Sequence, residues 1–160
     1  MVIIYEDKRE QKMLDLIKDL CDELADKEKC SQETFLKVAY VFENYRGFPD
    51  DAWPEDVKSI NVDKYDFLLL KDCLQERIST ETDVQLVATA IWAFGKAAEE
   101  SDKGYLSTLL ARYVDQDGNI TYQVMCALGN IGIKIFENGG GSVLDVEVNR
   151  AAARKYLNLA

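Results

Sequence analysis

Apolar residues recur at helical spacing along nearly the whole chain. Met13, Leu14, Ile17, Leu20, Cys21 and Leu24 share one stripe of a helix predicted over about 6–27. Ser31 then stands as an N-cap for a helix whose stripe is Phe35, Val38, Ala39, Phe42 and Tyr45, and Arg46-Gly47-Phe48-Pro49 stops it. Residues 47–63 are irregular, with Pro54 placed to open a single turn. Asp63 caps a helix to about Ile78 that turns Phe67, Leu70, Leu74 and Ile78 inward. Thr82 or Asp83 opens the next, carrying Val84, Val87, Ala88, Ile91 and Phe94. Ser101 or Asp102 opens another, carrying Leu106, Leu109, Leu110 and Tyr113. Beyond a turn at Asp117-Gly118-Asn119, Ile120, Val124, Ala127, Leu128 and Ile131 mark a helix that extends to Phe136, where 138–142 breaks it. Residues 145–160 form a last helix with Val148, Ala152, Tyr156 and Leu159 inward. Residues 2–5 are a short apolar lead, either a staple onto the first helix or a small strand. No other β pattern is present, so the fold class is all-α.

The stretch from Asp83 to Gly132 repeats itself. Shifted by 34 positions, Asp83 falls on Asp117, Leu86 on Ile120, Ala90 on Val124, Ile91 on Met125, Ala93 on Ala127, Phe94 on Leu128 and Gly95 on Gly129. A period of this size is the signature of stacked helical hairpins. The small residues Ala93 and Ala127 let two helices approach closely. Gly95 and Gly129 suit helix ends that need a positive φ.

Ala127-Leu128-Gly129-Asn130-Ile131-Gly132, with Ala93-Phe94-Gly95-Lys96-Ala97 before it and Tyr105 to Asp117 between, resembles the HEAT-like, armadillo-type α-repeat family. The tetratricopeptide pattern has the same period, but its signature is not met: Gly95 follows Trp92 at three positions. The resemblance implies a short right-handed α-solenoid of antiparallel hairpins, a single domain over 1–160. Its clearest repeats would be 81–115 and 117–144, and 145–160 would cap the stack. It also implies that the second helix of each pair lines a concave face used for binding.

Charge narrows the partners. The chain carries a formal −10. Residues 41–85 hold eleven acidic against five basic side chains, and 99–120 five against two, whereas 121–160 hold three against four. Phosphate-backbone binding needs the opposite sign, so direct nucleic-acid binding is not expected and a basic protein is.

Catalytic chemistry is thin. There is no histidine, which removes the commonest general base and metal ligand. Cys21, Cys30, Cys73 and Cys126 are too scattered for a zinc site. The first, third and fourth fall on apolar helical faces and are expected in the core, leaving Cys30 exposed. Asp115-Gln116-Asp117-Gly118-Asn119 imitates part of a calcium loop. With Gly118 at the sixth place, however, Tyr113 and Val124 occupy the first and twelfth, where carboxylates are required. Gly139-Gly140-Gly141 follows no strand and reads as a loop, not a phosphate cradle. The expectation is no enzyme, no cofactor and no metal. Val2-Ile3-Ile4-Tyr5 is too short for a signal peptide and no run reaches membrane-span length. A cytoplasmic protein with reduced thiols, monomeric or weakly dimeric, is expected.

A binding surface remains. Away from the inward stripe of 64–79 lie Tyr65, Leu69, Asp72 and Glu76. Away from that of 102–115 lie Tyr105, Thr108, Arg112 and Asp115, with Asp117 just beyond. Aromatic anchors among carboxylates suit a basic protein partner. In general character, a compact acidic chain of this kind is similar to bacterial toxin-immunity proteins, which implies an antitoxin that neutralises a basic nuclease-type toxin domain. The alternatives are an adaptor or scaffold that holds a peptide in the groove, or a HEAT-repeat lyase acting on a tetrapyrrole.

Overall fold

The structure is a computed structural model that describes residues 16–48, 53–58, 60–136 and 141–159. Every regular element among these residues is helical, and no strand occurs among them. The apolar lead 2–5, Met13, Leu14 and most of the 138–142 break lie outside the described residues. The chain divides into two compact units, Met1–Glu81 and Thr82–Ala160.

In the first unit, α1 covers residues 16–25 and buries Ile17, Leu20 and Leu24. Helix α2, Gln32–Tyr45, opens after Ser31, whose N–H donates to Thr34 Oγ1 at 3.1 Å. The Thr34 hydroxyl in turn donates to Glu23 Oε2 at 3.0 Å, so the start of α2 is tied to α1. The short α3, Glu55–Lys58, begins one residue after Pro54, whose carbonyl accepts from Val57 and Lys58 at 3.0 Å. Asn44 of α2 pins that irregular stretch by donating to Val57 O at 2.8 Å. Helix α4, Lys64–Thr80, is capped by Asp63, which accepts from the Asp66 N–H at 2.8 Å. Its Phe67 meets Phe42 edge-on at 5.4 Å and stacks on Tyr45 at 4.3 Å. The stripes read from spacing in α2 and α4 are therefore the ones that form this core.

The second unit holds α5 (Val84–Gly95), a 3-10 turn (Glu100–Asp102), α6 (Lys103–Tyr113), α7 (Gly118–Asn130) and α8 (Val146–Tyr156). Asp83 caps α5 by accepting from Gln85 and Leu86, and Asp117 caps α7 by accepting from Ile120. The two caps are the aspartates that the 34-residue shift superimposes. Helix α7 is the centre of the unit, packed against α5, α6 and α8. The C-terminal turns of α5 and α7 meet: Asn130 Nδ2 donates to Gly95 O at 3.1 Å.

Three expectations change. Gly95 does not supply a positive φ; a Cβ there would stand 3.4 Å from the Ala127 Cβ and 3.3 Å from Asn130 Nδ2, so it is small to admit α7. Gly129 meets nothing within 4 Å, and the left-handed glycine is Gly132 at φ +93°. That turn ends α7 at Asn130, short of Phe136, with Ile133 N donating back to Leu128 O at 3.1 Å. Finally, α8 buries Asn149 and Ala153, while Val148 is 63% exposed and Leu159 is exposed. The inward face is shifted by one residue because the Asn149 amide is needed inside, where it donates to Ser142 O at 2.8 Å.

Candidate functional surface

Helix α4 must bury Phe67, Leu70, Leu74 and Ile78, and this fixes what faces outward. Tyr65, Leu69, Asp72 and Glu76, spaced four, three and four apart, fall on one outward stripe. Tyr65 is 73% exposed and Leu69 39% exposed, and both carboxylates are exposed. Leu68, 42% exposed, lies one turn from Tyr65 and widens the apolar part. Sequence reasoning missed it, although the i, i+3 relation to Tyr65 was available. At the N-terminal end of the stripe, Asp66 is nearly buried; burial, followed by the neighbouring Asp63 carboxylate, holds its pKa above the ordinary value. Of the cations of α4, Lys71 and Arg77 are buried and Lys64, at the start of the helix, is exposed.

The residues expected on the other helix behave differently. Tyr105 on α6 is half-buried, its ring 5.2 Å from Phe94 of α5, and its hydroxyl is buried without a hydrogen-bond partner. Burial, then Tyr113 and Asp102, pushes its pKa up. Arg112 is exposed with its guanidinium 5.1 Å above the Tyr113 ring. Asp115 accepts from Arg154 of α8 at 2.7 Å. Asp117 spends its carboxylate on the Ile120 N–H. The structure thus brings Tyr65, Leu69, Asp72 and Glu76 together in the first unit. In the second unit Tyr105 packs against Phe94, Asp117 caps α7, and Asp115, though exposed, pairs with Arg154.

The cysteines reverse their expected places. Cys30 is buried, and Cys21, Cys73 and Cys126 are only half-buried. Cys30 closes the turn after α1, its N–H donating to Asp26 O at 2.9 Å, and that turn folds its side chain inward. Burial raises its pKa to about 11.

Hollows are shallow. One of about 350 Å³ lies between α5 and α7, lined by Trp92, Lys96, Tyr122, Gln123 and Asn130 among others. Another, of about 190 Å³, separates α1 from α4. Among the described residues no helix is long and apolar enough to cross a membrane. Comparison with protein-family profiles, curated proteins and solved structures returns no match.

Proposed function

We infer that the protein is a non-catalytic binding module that uses the outward face of α4 to hold a basic protein. The observation that carries this reading is the exposure of Tyr65, Leu68 and Leu69 side by side next to Asp72 and Glu76. Contiguous apolar side chains rimmed by charge are the usual form of a docking patch. A tyrosine anchor supplies contact area at low entropic cost, and a carboxylate rim steers a partner of opposite charge. The formal charge of −10 extends that steering beyond the patch.

The scaffold, in this reading, is a short HEAT-like stack of antiparallel hairpins. The matched aspartate caps of α5 and α7 and the meeting of their C-terminal turns support it. The partner most consistent with the charge is a basic nuclease-type toxin domain, which makes the chain an immunity protein. Four free thiols fit a reducing compartment such as the cytoplasm. The adaptor reading is favoured instead by the hollow between α5 and α7, where Trp92, Tyr122 and Asn130 could receive an extended peptide.

Affinity capture with the wild-type chain and with Asp72→Lys/Glu76→Lys separates the two. A basic protein held by the wild type and lost with the double variant supports the α4 reading. A partner retained by that variant but lost with Trp92→Ala moves the site to the α5–α7 hollow. Where a basic partner is captured, the double variant should also slow association and flatten its salt dependence.

A further inference from the structure

Two thiols share one cavity of the first unit. Cys21 and Leu24 of α1 face Cys73, Glu76 and Arg77 of α4 across a hollow of about 190 Å³. Both cysteines are free and half-buried, so each is reachable from solvent, and their side chains interact with each other. Arg77 sits one turn beyond Cys73 on the same helix and is almost wholly buried. Its Nη1 donates to Leu24 O at 3.4 Å and its Nη2 lies 3.9 Å from Glu81 Oε2, whereas its Nε–H has no acceptor. The thiol whose pKa its charge lowers is that of Cys30, against the larger effect of burial.

We propose that Cys21 and Cys73 form a redox-active dithiol that a hydroperoxide oxidises to a disulfide joining α1 to α4. The inference does not depend on the protein-binding reading. The two sulfurs have different parts. Burial first, and then Cys73, Asp22 and Asp66, push the Cys21 thiol up to about 12, so Cys21 keeps its proton. Cys73 is therefore the sulfur that attacks. Its thiolate forms an S–O bond with the peroxide as the O–O bond breaks. With hydrogen peroxide this leaves a sulfenic acid on Cys73 and a hydroxide, which takes the proton that Cys73 released and departs as water. The Cys21 sulfur then attacks the sulfenic sulfur. The S–S bond forms, the S–O bond breaks, and the departing hydroxide takes the Cys21 proton as a second water. Two thiols have given two electrons to the peroxide.

The test uses the full chain treated with hydrogen peroxide, alkylated, digested without reduction and read by mass spectrometry. A peptide linking Cys21 to Cys73 and removed by dithiothreitol is expected. The melting temperature should rise on oxidation, because the link restrains the unfolded chain, and fall back on reduction. With Cys21→Ser, dimedone should label Cys73 after peroxide treatment. With Cys73→Ser, it should leave Cys21 unlabelled. Cys21 and Cys73 that both remain alkylatable in folded, peroxide-treated wild type overturn the proposal. So does a link to Cys30 or Cys126, or a link between two chains.

Discussion

Helices α4 and α6 share an apolar stripe inward and a tyrosine away from it, with carboxylates on α4 itself and just beyond the end of α6. The structure uses them differently. On α4 the outward tyrosine stands in solvent, with Asp72 and Glu76 exposed along the same stripe. On α6 the corresponding tyrosine is drawn against Phe94, and the acids beyond the helix are taken by Arg154 and by the start of α7. Spacing tells which side of a helix faces away from its stripe. It does not tell whether a second helix waits on that side, and in the second unit α5 and α8 do.

The largest effect that sharpens this contrast is on folding stability. Tyr105→Ala removes a half-buried ring and should cost about 2–3 kcal/mol. Tyr65→Ala, on a side chain 73% exposed, should stay within about 0.5 kcal/mol. Urea unfolding of both variants checks it. Equal costs would break the distinction between the two helices.

How much of this was legible follows from the same physics. Helix positions were legible because a buried stripe repeats every three to four residues, and the caps at Asp63 and Asp83 because each precedes such a stripe, whereas Asp117, expected only in a turn, also caps a helix. The two aspartates that the 34-residue shift superimposes open α5 and α7 in the same way. What failed depends on neighbours distant in sequence. Cys30 lies off any stripe, yet a turn buries it. Val148 matched an apolar stripe, but the amide of Asn149 had a better use inside. Cys21 and Cys73 line one hollow from helices separated by α2 and α3, and no local pattern announces it. On the surface, spacing was enough to turn the α4 residues outward, whereas the engagement of Tyr105 and Asp115 required knowing where α5 and α8 lie.

A second contrast sets capping against free acids. Asp117 holds the Ile120 N–H at 2.8 Å, so Asp117→Ala should cost about 1–2 kcal/mol. Asp72→Ala, exposed on α4, should be close to neutral for folding while weakening capture of a basic partner. Thermal unfolding of the two variants measures the first half, and binding the second.

The hydroxyl of Tyr105 gives a change of opposite sign. It is buried without a partner, so Tyr105→Phe should stabilise the protein by about 1 kcal/mol. Its pKa is raised, which means that the fold prefers the neutral phenol. The associated stability is fully present below the ordinary value of 10 and is lost as pH rises above it. Tyr105→Phe should therefore lessen the alkaline loss of stability. An unchanged alkaline profile would mean that the hydroxyl finds water in solution.

The smallest effect concerns Asp115. Its carboxylate accepts from Arg154 Nη1 at 2.7 Å, a short distance for an ion pair, but the two side chains remain 58% and 32% exposed. Solvent screens such a pair, and ordering two side chains offsets part of the attraction, so Asp115→Ala should cost about 0.5 kcal/mol. Arg154 is not all that holds α8, since Arg150 Nε also donates to Val114 O at 3.3 Å and Ala153 is fully buried. The helix should therefore stay docked in the variant. The cost should shrink further as salt rises, because the screening length falls to about 3 Å at 1 M. Urea unfolding of wild type and Asp115→Ala at low and high salt measures both. A cost above about 1.5 kcal/mol that ignores salt would show that Asp115 is a packing residue, as Tyr105 is. No cost at any salt, together with weakened binding of a basic partner, would return Asp115 to the binding surface alongside the acids of α4.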